Sequence, residues 1–252
     1  MGARPGHGPG PPGHPDHPAG LALRSARMGP MRLLLIRHGQ TPSNLGGLLD
    51  TGAPGADLTG LGRAQAAALS RSVGTEPIDV LYASTLVRTQ QTAEPLALTL
   101  GLTVEVRAGI REIGAGALEM LGDAASVQTY LDTAFRWSDG DLDLRMPGGE
   151  SGTEVFERYD QVVAEIAASG AGTAALVSHG AVIRSWTAAR VSNVDVDHVA
   201  SNPLSNTGVV VLEGSPGTGW QALTWEGRAL DGGASSTPEA DGPAAEPVRS
   251  RR

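Results

Sequence analysis

Two stretches of this chain end an apolar run on a histidine followed by a glycine. Leu33-Leu34-Leu35-Ile36 runs into Arg37-His38-Gly39, and Ala174-Ala175-Leu176-Val177-Ser178 runs into His179-Gly180. An uninterrupted apolar run suits a strand buried on both faces of a parallel sheet, and open α/β sheets bind ligands outside the carboxyl ends of such strands. The first stretch therefore places a fixed positive charge, a nitrogen nucleophile and a flexible joint where a strand emerges, which is chemistry for an anion. A lone histidine is usually a structural hydrogen-bonding residue, but two strands that each deliver His-Gly at their carboxyl ends are hard to ascribe to packing.

The elements that must position these residues follow from pattern. Gln40 to Asp57, rich in Gly, Pro, Asn and Asp, reads as a long loop over the site. Thr59 caps a helix to about Val73 with Leu61, Ala64, Ala68 and Leu69 at helical spacing, a packing element without chemistry. Ile78 to Ala83 is a second strand, and a second helix opens from Ser84, with Ser84 or Thr85 as its cap and Arg88 in its first turn. A third strand, Thr103 to Val106, leads into a loop carrying Glu112.

Asp123 to Asp143 is helical and then irregular, and its Tyr130, Phe135 and Trp137 suit a core position or a cover over the site. Ser151 with Glu154 forms a capping box for a helix that aligns Val155, Tyr159, Val162 and Ile166. Capping is a sufficient role for Ser151, and neither it nor Glu150 is assigned chemistry. Residues 207–213 and 220–226 read as two antiparallel strands. Taken alone, Arg88 is a solvated arginine, and Glu112 is a loop carboxylate paired with Arg111 or Arg107.

Composition narrows the classes. In 252 residues the ends look unfit for a core, so one domain is expected over 31–228, between disordered tails at 1–30 and 229–252. His7, His14 and His17 read as part of the solvated tail rather than as a metal site. Met28 and Met31 precede the first strand and are candidate translation starts. No signal sequence or membrane span is expected, so the default location is cytoplasmic. There is no cysteine, which excludes disulfides, thiolate nucleophiles and thiolate-bound zinc. All 19 basic residues are arginine, which excludes Schiff-base and P-loop lysine mechanisms. A net charge of -8 argues against a nucleic-acid partner but leaves room for a local cationic pocket.

Arg37-His38-Gly39 with Thr41 and Asn44, then Ser84, Leu86, Arg88, Thr92 and Ala93, then Glu112, then His179-Gly180, occur in that order. This series resembles the histidine phosphatase superfamily, also called phosphoglycerate mutase-like, over about residues 31–213. The resemblance implies an α/β three-layer sandwich with a mostly parallel central sheet and helices on both faces. It implies His38 as the phosphoryl-accepting nucleophile, Arg37, Arg88, Asn44 and His179 as phosphate ligands, and Glu112 as proton donor to the leaving group. It implies a small-molecule phosphate monoester as partner, no cofactor and no metal; oligomeric state is left open. Pro147-Gly148-Gly149-Glu150-Ser151 resembles the phosphatase branch, whereas Leu118-Glu119-Met120-Leu121-Gly122 departs from the Trp-Glu-Gly of many members. The rival readings are phosphoglycerate mutase-type transfer and a non-catalytic phospho-ligand binding module.

Overall fold

The chain was analysed as a computed structural model that describes residues 29–230, together with 1–2 and 242. The three tail histidines, Met28 and nearly all of the two expected tails lie outside the described residues. In chain order the elements are β1 (Met31–Arg37), α1 (Pro42–Leu45), α2 (Gly60–Val73), β2 (Val80–Ala83), α3 (Val87–Leu100), β3 (Val104–Val106), α4 (Ala124–Ser138), α5 (Gly152–Ala168), β4 (Thr173–Ser178), α6 (Gly180–Arg190), α7 (Val196–Ser201), β5 (Val209–Ser215), β6 (Gly219–Trp225) and β7 (Arg228–Ala229).

One sheet joins the seven strands in the order β3-β2-β4-β1-β5-β6-β7. The first four pair in parallel, and β5, β6 and β7 extend the sheet antiparallel to their neighbours. β1 thus lies between β4 and β5, which is why its sequence is apolar without alternation: both faces are covered. Leu33 and Leu35 join the larger core with Tyr130, Trp137, Phe156, Tyr159 and Trp186 from α4, α5 and α6. Leu34 and Ile36 join the opposite core with Leu69, Ala93 and Leu96 from α2 and α3. The expected three-layer α/β sandwich is what forms. Because β1 and β4 are hydrogen-bonded neighbours in register, with Arg37 opposite Ser178, the two His-Gly ends emerge side by side.

The structure corrects several local expectations. The loop over the site contains the helical turn α1, closed by a Thr41–Asn44 capping box that the Pro and Gly content obscured. The packing face of α2 is Gly62, Ala66, Leu69 and Ser70, whereas Leu61 is 55% exposed and Ala64 and Ala68 also face out. Close approach selects this face, since a Cβ on Gly62 would lie 2.1 Å from the Gln40 carbonyl oxygen. α3 is capped by neither Ser84 nor Thr85; its N-cap is Leu86, without a side-chain cap. The Ser151–Glu154 capping box and the buried Val155, Tyr159, Val162 and Ile166 stripe of α5 are as expected.

Candidate active site

His38 leaves the end of β1 with its backbone gripped on both sides. Its N–H donates to the Ser178 carbonyl at 3.1 Å, and its carbonyl accepts from the Asn206 amide at 3.2 Å and the Thr207 N–H at 3.3 Å. Two ring contacts assign its tautomer. Nδ1 lies 2.7 Å from the Gly39 carbonyl, which can only accept, so the proton belongs on Nδ1. Nε2 accepts from Arg88 Nε–H at 3.1 Å and so carries the lone pair. Burial, then Arg88 and Arg37, hold this imidazole well below its ordinary 6.5, with the Gly39 carbonyl pulling weakly the other way. Gly39 itself has no room for a side chain: a Cβ would sit 2.7 Å from the Gly62 carbonyl oxygen.

The two arginines are buried and fixed. Arg37 is 1% exposed, and its Nη1 donates to the Leu204 carbonyl at 2.5 Å. Arg88 is not a solvated residue. It occupies the second position of α3, where the helix dipole disfavours a cation, and the loop across from it compensates. Nη2 donates to the Asp50 carbonyl at 2.8 Å and Nη1 stands 3.8 Å from the Asp50 carboxylate. A Cβ on Gly55, whose φ is +72°, would fall 2.5 Å from Nη1, so this loop closes on the guanidinium only with glycine there. Burial lowers the Arg88 pKa, and Asp50 and Glu112 oppose that shift.

Glu112 pairs with neither arginine that a reading of its loop suggests. Arg111 takes Glu150 at 2.6 Å, and Arg107 takes Glu165 at 2.6 Å. Glu112 instead lies 6% exposed at the start of α6, where Oε1 accepts from Ile113 N–H at 3.0 Å and Val182 N–H at 2.9 Å, and Oε2 from Ala181 N–H at 3.2 Å. A helix N-terminus offers unpaired N–H groups and the positive end of the dipole, which is where a buried carboxylate is favoured. His179 is the N-cap of the same helix and is fully buried. Its Nε2 is 2.7 Å from Ser84 Oγ, and its Nδ1 has no hydrogen-bond partner among the described residues. Its ring meets His38 edge-on at 5.2 Å between centroids, and burial first, then Arg88, holds its pKa well below 6.5.

Asn44 sits in α1 with its amide orientation set from two sides. Oδ1 accepts from Thr41 N–H at 3.0 Å and from Asn206 Nδ2 at 3.3 Å, so Nδ2 is left as a donor. Arg37, His38, Asn44, Arg88 and Glu112 line one small, half-open cavity. His179 stands against the His38 ring.

Some residues that build this site carry no sequence signal. Asn206 joins His38 to Asn44 from 168 and 162 residues away. Asp50 holds Arg88. Tyr130, which the sequence pattern does offer as a core or covering residue, lines the cavity while its hydroxyl donates to the Ile113 carbonyl at 2.9 Å. Glu119 ties down the loop before Gly55, accepting from Thr51 N–H at 2.8 Å, Gly52 N–H at 2.9 Å and the Thr51 hydroxyl. It belongs to the one segment whose sequence departs from the family pattern.

Two imidazoles on adjacent strand ends, two buried guanidiniums and a carboxylate about one small cavity define the class: an α/β enzyme site for phosphate monoesters. The chain belongs to the histidine phosphatase superfamily, whose branch 1 profile matches residues 33–227. It is 31% identical over 209 residues to a glucosyl-3-phosphoglycerate phosphatase of Mycobacterium tuberculosis, covering 77% of this chain and 91% of that protein. It is 35% identical to the PE-PGRS family protein PE_PGRS11 of the same species over 81% of this chain, but spans only 38% of that longer protein. A solved mycobacterial glucosyl-3-phosphoglycerate phosphatase complexed with VO3 superposes with a TM-score of 0.65 at 28% identity, covering 79% of this chain and 100% of that one. The protein is accordingly a phosphoric monoester hydrolase by class. No helix among the described residues is long and apolar enough to cross a membrane.

Proposed function

We propose that the protein hydrolyses small phosphate monoesters by way of a phosphohistidine on His38. A phosphate monoester is a dianion and repels a nucleophile until its oxygens are neutralised. Arg37 and Arg88 supply that charge as planar forks whose ionisation does not follow pH, so the step as written calls on no metal. Asn44 Nδ2 and His179 Nδ1 add neutral donors. His38 Nε2 then attacks in line: the N–P bond forms, the P–O bond to the alcohol breaks, and Glu112, protonated beforehand on Oε2, the oxygen with one N–H partner instead of two, gives that proton to the departing oxygen. In the second half Glu112, now a carboxylate, takes a proton from water as that water attacks phosphorus and the N–P bond breaks.

The observation that carries this reading is the fixed tautomer of His38, with its proton on Nδ1 against Gly39 and its Nε2 lone pair held by Arg88. An incoming dianion competes for that guanidinium and frees the nitrogen at the moment phosphorus arrives. A cytoplasmic setting suits the absence of cysteine.

Rapid acid-free quenching with a 32P-labelled monoester is expected to trap an acid-labile, base-stable adduct that is missing in His38→Ala. Turnover without such an adduct overturns the mechanism. Stimulation by 2,3-bisphosphoglycerate with net transfer to 3-phosphoglycerate would identify a mutase, and tight phosphate binding with no hydrolysis of 4-nitrophenyl phosphate would identify a binding module.

A further inference from the structure

Resting on that reading of the pocket, we infer that the alcohol part of the substrate is uncharged and apolar, and that it lies on a rim made by Leu45, Leu48, Met120 and Leu121. Charge comes first. The only cations among the cavity-lining residues are Arg37 and Arg88, and a phosphoryl dianion uses both. The remaining acidic groups there are Asp50, whose carboxylate stands 3.8 Å from Arg88, and Glu112, which the proposed mechanism holds protonated when the ester binds, with Glu119 bound to the Thr51 backbone beside them. Nearby Arg111 and Arg158 are turned to Glu150. A second anionic group on the substrate, a carboxylate or a further phosphate, would meet Asp50 and Glu119 with no further arginine lining the cavity among the described residues.

Exposed apolar side chains supply the other half. Leu45 is 66%, Met120 51% and Leu121 41% exposed, three of the few large hydrophobic residues exposed among the described residues. Chain neighbours and backbone hydrogen bonds tie them to residues that line the pocket. Leu45 follows Asn44, and Leu49, which lines the cavity, pairs its N–H with the Leu121 carbonyl at 2.9 Å and its carbonyl with the Met120 N–H at 3.0 Å. Leu48 lines the cavity too, and a Cβ on Gly122 would lie 3.0 Å from its Cδ2. Met120 adopts φ +60°, a left-handed conformation that glycine or asparagine takes with least strain. A flexible apolar side chain, 51% exposed, is nevertheless held there, a strain that persists only where the surrounding structure over-determines it. Leu48 and Leu49 are the aliphatic side chains that line the cavity, so the alcohol part of the ester is placed on their side of it.

The test compares four alkyl esters of similar leaving-group basicity: ethyl phosphate, hexyl phosphate, glycerol 1-phosphate and 3-phosphoglycerate. Each buried methylene is worth about fourfold, so partial burial of the longer chain is expected to raise kcat/KM for hexyl over ethyl phosphate about tenfold. 3-Phosphoglycerate is expected at least about tenfold below glycerol 1-phosphate, from like-charge repulsion in a partly buried site. Leu45→Ser/Met120→Ser/Leu121→Ser is expected to bring the hexyl-to-ethyl ratio to about one. Calorimetric Kd values for hexyl and ethyl phosphate on His38→Ala keep the question separate from turnover. Preferential hexyl binding without hydrolysis by the wild type would uphold the rim and refute the phosphatase mechanism. Equal binding of the two alkyl esters, or a preference for 3-phosphoglycerate, overturns the inference even where hydrolysis is fast.

Discussion

The chain writes the same phrase twice, an apolar strand followed by His-Gly, and the fold gives the two copies different work. After β1 the histidine keeps Nε2 within reach of the cavity, because Nδ1 is spent on Gly39 and the chain then turns into a loop. After β4 a helix starts at once, so His179 becomes its N-cap, is fully buried against His38, and commits Nε2 to Ser84 while Nδ1 stays unpartnered among the described residues. The helix that buries His179 also offers the N–H groups of Ala181 and Val182 that seat Glu112. On the proposed mechanism a histidine at a strand end becomes a nucleophile or a fixed donor through what comes after it, since that decides which ring nitrogen is left unspent.

The sharpest way to break this contrast is to remove each imidazole. His38→Ala is expected to lower turnover below detection with the fold retained by circular dichroism. His179→Ala is expected to cost about 10- to 10²-fold, the worth of one hydrogen bond to a charged group, and still to form the phosphohistidine. Loss of the adduct in both variants would show that the two strand ends are not divided in role.

Glu112→Gln should fall between them, slowing hydrolysis of alkyl phosphates by roughly 10² to 10⁴, the usual worth of acid–base help. Adduct formation from 4-nitrophenyl phosphate, whose leaving group needs no proton, should be slowed far less. Full activity of Glu112→Gln on an alkyl ester would remove Glu112 as the proton donor.

A smaller effect separates positioning from chemistry. Asn206→Ala is expected to raise KM about three- to tenfold, one hydrogen bond's worth, because Asn44 loses the partner that orients its amide. The double variant with Asn44→Ala should be no worse than Asn44→Ala alone in steady-state kinetics. Additive losses would mean that Asn206 acts through the His38 carbonyl instead.

Protonation gives the mildest test. The reacting form of His38 is neutral and its pKa is lowered, so the acid limb of kcat/KM should lie below pH 6.5. Both buried imidazoles are held below their unfolded value of about 6.5, so below that pH the unfolded chain binds more protons than the folded one. Stability is therefore fully present above pH 6.5 and declines as pH falls from there. Thermal melting of His179→Gln should show a shallower decline than the wild type over the same range.

Much of this site was readable in advance where the residues are local to an element. Arg37, His38 and His179 announce themselves at strand ends, and Ser151–Glu154 at a helix start. The face of α2 was misread because the contact rewards the smallest residue, Gly62, and not the most apolar one, Leu61. Ser84 was misread as a cap because serine before a helix normally is one, whereas here His179, 95 residues later, takes its hydroxyl.

What the sequence determined by itself is the chemistry available: two strand-end imidazoles, arginine as the sole cation, no thiol and an apolar strand fit only for a sheet interior. Those follow from residue type and short-range spacing, which the chain carries wherever it folds. Which nitrogen of His38 is free, which groups hold Glu112 and Arg88, and how Asn206 steadies Asn44 were decided by tertiary structure alone. His38 Nδ1 meets its own neighbour Gly39, but the contacts of His38 Nε2, Arg88, Asn44 and the α6 end of Glu112 join residues 38 to 162 positions apart, and only the closed sheet and its covering helices bring such partners together.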